Sequence, residues 1–291
     1  MNESLFQHGV GVKPARHDRK DEIRSRRMKN KPELTFDTIK RMEDMTWFTH
    51  AQIFDDLLIV AQMETACYIW KTAKGLVVID GIWPDERVYA ELLAAIRNAG
   101  WGSEPITKFV MTHGHIDHVG CGKWLVDHHG AKTFLSKADD DLRRNTPSEE
   151  GRSDCWKEFD IDCYIGDGDH IDCGDKSINV IATPGHTTGC LSFVFPVFEN
   201  GEKHMACLFG GATAPWGDEA GKQLQRESVI KFGNAAAEQH CDVVLTNHTA
   251  FDIGLERISY SRSRMSYMPN IYILGEDGVQ KFCEVFLNAV E

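Results

Sequence analysis

The chain has 291 residues, 42% hydrophobic and 26% charged, enough for a sizeable core and too apolar for wholesale disorder. Lys and Arg number 32 against 44 Asp and Glu, a net charge of −12, which disfavours nucleic-acid phosphates and anionic membranes as partners. No segment approaches the ~20 apolar residues of a membrane helix and residues 1–33 hold no apolar run, so the expected location is cytoplasmic.

Residues 1–48 read as an N-terminal basic and partly helical extension, with Arg16, Arg19, Lys20, Arg24, Arg26, Arg27, Lys29 and Lys31 broken by acids. Its plain role is a solvated arm; the sharper role is docking near the active site or on a second copy in a homo-oligomer. Residues 49–291 read as one catalytic domain. Leu57–Val60, Ala66–Lys71 and Leu76–Asp80 are strands, the last two joined through Gly75. Pro84 is placed as the first helical residue of a helix carrying Val88, Leu92, Ala95, Ile96 and Ala99 on one stripe and closed by Gly100.

Ile106–Thr112 is a β-branched and aromatic strand that ends at a histidine cluster. Val119–His128 follows as a helix and Lys132–Leu135 as a strand, and Asn145–Lys157 reads as a long loop. Ile178–Ala182 is a strand ending at Thr183-Pro184-Gly185-His186. Leu191–Phe195 and Met205–Phe209 are strands, 224–239 is a helix, and Asp242–Thr246 is a strand ending at Asn247-His248. An amphipathic helix closes the chain over Glu276–Val290. The nine cysteines form no C-x-x-C pair, which fits reduced thiols.

The chemistry concentrates in His113-Gly114-His115-Ile116-Asp117-His118. In a turn after a strand these four side chains can converge, and three imidazoles with a carboxylate are donors that zinc prefers. One tetrahedral ion cannot take all four and keep an open position for water. The excess implies two ions, or one ion plus a catalytic carboxylate. His186 and His248, each just past a strand, complete the set.

These residues resemble the metallo-β-lactamase superfamily, whose signature His-x-His-x-Asp-His matches residues 113–118 and whose early strand end matches Val78-Ile79-Asp80-Gly81. The resemblance implies an α+β fold, an αββα sandwich of two mixed sheets flanked by helices. It also implies one zinc on His113, His115 and His186 and a second on Asp117, His118 and His248. Many hydrolases of that superfamily carry a metal-bridging Asp after a strand between the last two histidines. Here that stretch is Leu208-Phe209-Gly210-Gly211-Ala212, without a carboxylate. This is similar to the β-lactamase subclass with an Asp-His-His second site and unlike the thioesterases.

The implied activity is a zinc hydrolase that uses a zinc-bound hydroxide to open an amide, lactam, lactone or ester carbonyl of a small molecule. Asp117 is the implied catalytic carboxylate. Asp80, Trp83, Gly211, Trp216 and Asn247 are candidates for supporting the ligands or lining the substrate pocket. The competing readings are an iron-dependent redox enzyme of the same superfamily and a non-catalytic metal-binding protein.

Overall fold

A computed structural model describes residues 48–62, 64–148, 153–212 and 219–289. Residues 1–47 of the expected extension and Trp216 therefore lie outside the described residues, and Phe48, expected to end the extension, opens the first strand instead. Twelve strands are described: β1 Phe48–Phe54, β2 Leu57–Gln62, β3 Thr65–Thr72, β4 Gly75–Ile79, β5 Ile106–Val110, β6 Lys132–Leu135, β7 Cys163–Tyr164, β8 His170–Asp172, β9 Ser177–Ala182, β10 Leu191–Glu199, β11 Glu202–Phe209 and β12 Val243–Thr246. The helices are α1 Glu86–Asn98, α2 Ile116–Val119, α3 Gly122–His129, α4 Lys137–Asn145, α5 Glu219–Glu238, α6 Gly254–Ser263 and α7 Gly275–Ala289.

The strands form two mixed sheets. One runs β1-β2-β3-β4-β5-β6-β7 and the other β12-β11-β10-β9-β8. In the first, β1 to β4 pair antiparallel and β4 to β7 parallel. In the second, only β11 and β12 pair parallel.

The uninterrupted apolar runs form strands because both faces of each sheet are covered. Along β2, Leu57, Ile59 and Ala61 point into the layer between the sheets, while Leu58 and Val60 point towards the helices. Tyr68 and Trp70 on β3 repeat this division against Cys67 and Ile69. In the second sheet Phe193, Phe195 and Leu208 face inward, and Val194, Cys207 and Phe209 face outward. The outer layers are closed by α1 and α3 on one side and by α5 and α7 on the other. The expected αββα sandwich is present, and each large side chain so buried contributes about 1.5–3 kcal/mol.

Three local expectations change. Helix α1 opens at Glu86 with Asp85 as its cap, accepting the Arg87 N–H at 2.8 Å, and Pro84 lies outside it. A carboxylate satisfies an unpaired first-turn N–H, which a proline in that place cannot do. The helix expected over Val119–His128 is two, because the Gly120 and Cys121 N–H groups turn away to the carbonyls of Ile82 and Gly81. Helices α4 and α6 had no sequence expectation. In α4 the buried side chains are Asp139, Asp140 and Arg143, so no apolar stripe marks it.

Candidate metal centre

The site is assembled from the ends of strands. β5 delivers Thr112 and the cluster 113–118, β4 delivers Asp80, β9 leads to His186, β11 to Gly210 and Gly211, and β12 to Asn247 and His248. Strand pairing sets these ends side by side: β4 and β5 run parallel in one sheet, β11 and β12 in the other.

Two groups of donors result. Ligand atoms of His113, His115 and His186 lie within 4.8 Å of one another, and so do those of Asp117, His118 and His248. His186 Nε2 stands 3.0 Å from His115 Nδ1. His118 Nε2 stands 3.1 Å from His248 Nε2 and 3.5 Å from the Asp117 carboxylate. The six residues expected from the sequence to act together are thus brought together, three and three.

A shared hydrogen-bond system beneath them fixes which ring nitrogen each presents. Asp80, 1% exposed, accepts the His118 Nδ1–H at 2.9 Å, the Thr112 N–H at 2.8 Å and the Thr112 hydroxyl at 2.8 Å. Thr112 Oγ1 in turn accepts from His113 Nδ1 at 3.0 Å and from the Asn247 amide at 3.1 Å. With Nδ1 engaged, His113 and His118 both turn Nε2 inward, so one carboxylate sets the tautomer of one histidine in each triad. Asn247 also donates to the Gly210 carbonyl at 2.7 Å, tying β12 to β11 below the site.

Electrostatics match a cation. Burial, followed by the neighbouring imidazoles, pushes the His113 pKa well below its ordinary value. Burial also lowers His115, and burial with His118 lowers His248 to about 4. Burial opposes the charged form of Asp117, but His118 and His248 outweigh it and keep the carboxyl below its ordinary value. For His118 burial is outweighed by Asp117 and Asp80, and its pKa is raised. Most donors are therefore lone pairs and a carboxylate at neutral pH, the forms that bind a metal. His113 Nε2 is buried with no hydrogen-bond partner. A buried ring nitrogen left in that state costs about 1–3 kcal/mol, which a coordinated ion at that atom would relieve.

The other expected residues are placed as follows. Gly211 lies beside His186, and a Cβ there would stand 3.3 Å from the His186 Cβ, so this position adjoins the site and carries no donor. Trp83 is half-buried against the outer apolar layer under α1 and α3. A cavity of about 220 Å³ adjoins the centre at His115 and Asp117, lined by Gly114 to Asp117 and by Thr146, Pro147, Asp154 and Trp156. Two contributors lack any sequence expectation. The Thr65 hydroxyl reaches Asp117 Oδ2 at 3.4 Å. Asp139 accepts the Gly114 and Gly189 N–H groups. Ser136-x-x-Asp139 is a capping-box spacing that marks a helix start and would have drawn attention to Asp139.

Residues 62–197 match the family model described as the metallo-beta-lactamase superfamily. A hydroxyacylglutathione hydrolase of Gloeothece citriformis (strain PCC 7424) is 32% identical over 112 residues, 38% of this chain and 37% of that protein. The match thus spans little more than a third of that relative. In three dimensions the chain is similar to BJP-1, a subclass B3 metallo-beta-lactamase of Bradyrhizobium japonicum, with a TM-score of 0.69 at 22% identity, covering 84% of this chain and 94% of that one. It is also similar to the class B3 di-zinc metallo-beta-lactamase LRA-12 from an Alaskan soil metagenome, with a TM-score of 0.65 at 15% identity, covering 83% and 92%. Residues 62–197 belong to the metallo-β-lactamase superfamily, within a unit that carries the fold of that superfamily.

Proposed function

We propose that this chain is a zinc-dependent hydrolase that opens the carbonyl of a small lactam, amide, lactone or ester. The convergence of His113, His115 and His186 beside Asp117, His118 and His248 carries the reading. Five imidazoles and one carboxylate suit zinc, and no carboxylate at Gly211 adds an oxygen donor between the triads. Bound there, two zinc ions supply Lewis acidity towards a carbonyl oxygen and lower the pKa of water from ~15.7 to ~7.

The chain's own residues do the rest. Asp117 is 18% exposed and faces the cavity, so its carboxylate orients the attacking water, takes its proton and returns it to the leaving nitrogen or oxygen. Thr65 steadies the same carboxylate from the start of β3. Asp80, Thr112 and Asn247 hold the strand ends and the tautomers. Ile116, Pro147 and Trp156 give the cavity an apolar wall for the body of the substrate. In this reading residues 49–291 are the catalytic unit and the acidic chain takes a small molecule. Among the described residues no helix is long and apolar enough to cross a membrane.

A second substrate class, thioesters, is favoured by the hydroxyacylglutathione hydrolase relatives. The glycine at 211 weighs against it. Metal analysis of the purified chain, then turnover of a chromogenic cephalosporin, lactones, amides and S-acylglutathiones with and without chelator, tests both. The expected result is two zinc ions and chelator-sensitive opening of a lactam, lactone or amide. Turnover of thioesters alone would shift the substrate class. Bound iron, or bound metal without turnover of any substrate, would overturn the hydrolase reading.

A further inference from the structure

Asp139 is wholly buried on α4, yet its carboxylate serves none of that helix's own first-turn N–H groups. An acid at this position ordinarily turns back towards its own helix start. Here Ser136 does the capping, accepting the Asp139 N–H at 3.2 Å. The carboxylate points outward instead. Oδ2 accepts the Gly114 N–H at 2.8 Å and the Thr187 hydroxyl at 2.7 Å, and Oδ1 accepts the Gly189 N–H at 2.9 Å.

Those three donors belong to two loops. Gly114 lies between His113 and His115, and Thr187 and Gly189 follow His186. One side chain thus joins the loops that carry all three members of the tri-histidine group and touches neither His118 nor His248. The approach is close on both sides. A Cβ at Gly114 would stand 2.3 Å from the Asp139 carbonyl oxygen, and one at Gly189 would stand 2.6 Å from Asp139 Oδ1. The two glycines permit the clamp, and the clamp holds the two loops together beyond the Leu191 N–H to Thr112 carbonyl hydrogen bond, 2.8 Å, that joins their bases.

We infer that Asp139 is a positioning residue for the tri-histidine site, setting its affinity for zinc and leaving the Asp117, His118, His248 site unaffected. The inference rests on the proposed metal-binding function. Asn is the informative replacement, because both Gly114 and Gly189 offer fixed N–H donors and an amide presents an NH2 to one of them.

The test is a zinc titration of the full-length, metal-free chain against a chromophoric chelator, with melting of each metal-free variant alongside. In a His248→Ala background the second triad is broken and binding reports the tri-histidine site; in a His186→Ala background the reverse holds. Asp139→Asn is expected to weaken zinc binding about 10–100-fold in the first background, the usual cost of losing support for a ligand. In the second it should change by less than about twofold. Equal weakening in both backgrounds, or none in the first, would overturn the inference. Should Asp139→Asn fail to fold, Thr187→Val removes one of the three donors and is expected to weaken the same site alone by about threefold or more, and unchanged binding overturns the inference. A wild-type chain that binds no zinc is a separate outcome and refutes the proposed function itself.

Discussion

Asp80→Asn isolates the tautomer argument from the shape of the site. Asp80 sits at φ 60°, a left-handed conformation that Asn also adopts readily, so the backbone need not change. Its two oxygens serve two fixed donors, the Thr112 N–H at 2.8 Å on Oδ1 and the His118 Nδ1–H at 2.9 Å on Oδ2. Asn has one oxygen for both. With that oxygen on Thr112, the NH2 faces His118 Nδ1; the imidazole proton then moves to Nε2 and removes the lone pair aimed at the second site. With the amide turned over, the NH2 meets the Thr112 N–H and leaves a buried donor unpaired, at about 1–3 kcal/mol. Either arrangement lowers zinc affinity at the Asp117, His118, His248 site by about 10–100-fold, with a smaller effect on the tri-histidine site through Thr112 and His113. Competition titration with a chelator reads the affinities, and melting of the metal-free chain reads the fold. If Asp80→Asn takes up the second ion as tightly as wild type, Asp80 does not set the His118 tautomer.

Three further outcomes follow from the same structure. His115→Ala and His118→Ala are expected to abolish chelator-sensitive turnover while keeping the far-ultraviolet circular dichroism of wild type, since both residues lie past the end of β5, outside the hydrogen-bond ladders of the sheets; full turnover by His118→Ala would refute the mechanism. Gly210→Ala places a Cβ 1.7 Å from the Leu191 carbonyl oxygen, a backbone atom that cannot step aside, so urea unfolding should show a loss of about 3 kcal/mol or more; a loss under ~1 kcal/mol would refute that packing. Asp140→Asn leaves the buried Arg143 without the carboxylate that binds it at 2.8 Å, at a cost of about 3–5 kcal/mol at pH 7.

Asp140 also carries a pH signature. Burial alone would raise its carboxyl, but the Tyr164 hydroxyl with Arg143 and Arg144 outweighs burial and holds the pKa below its ordinary value. A depressed carboxyl stabilises fully above the unfolded value of ~3.9 and loses that contribution as pH falls through the lower folded value. The stability difference between wild type and Asp140→Asn should therefore shrink below about pH 4; a constant difference down to pH 2 would contradict it.

The donor set and the main strands are legible in residue type and spacing, and the layered architecture in the resemblance those residues carry. Apolar runs such as Leu57–Val60 and Leu76–Ile79 declare strands covered on both faces, and four donors packed into the six residues after a strand mark a metal-binding cluster. Such patterns are local, and residue type and spacing suffice to read them. The resemblance already implied how the six donors divide; what holds them in place is visible only in the folded molecule. His186 and His248 are distant in sequence from 113–118; His186 follows β9, antiparallel to β10, His248 follows β12, parallel to β11, and the packing of the two sheets brings their loops to the end of β5. Asp139 and Arg143 lie on a helix whose inward face is charged, so no hydrophobic period announces it, and their partners are loops 25 to 50 residues away in sequence or the backbone of residues 156 and 159. A buried carboxylate becomes legible only when its donors are seen, because its place in the molecule is set by hydrogen bonds that the fold must first bring within reach.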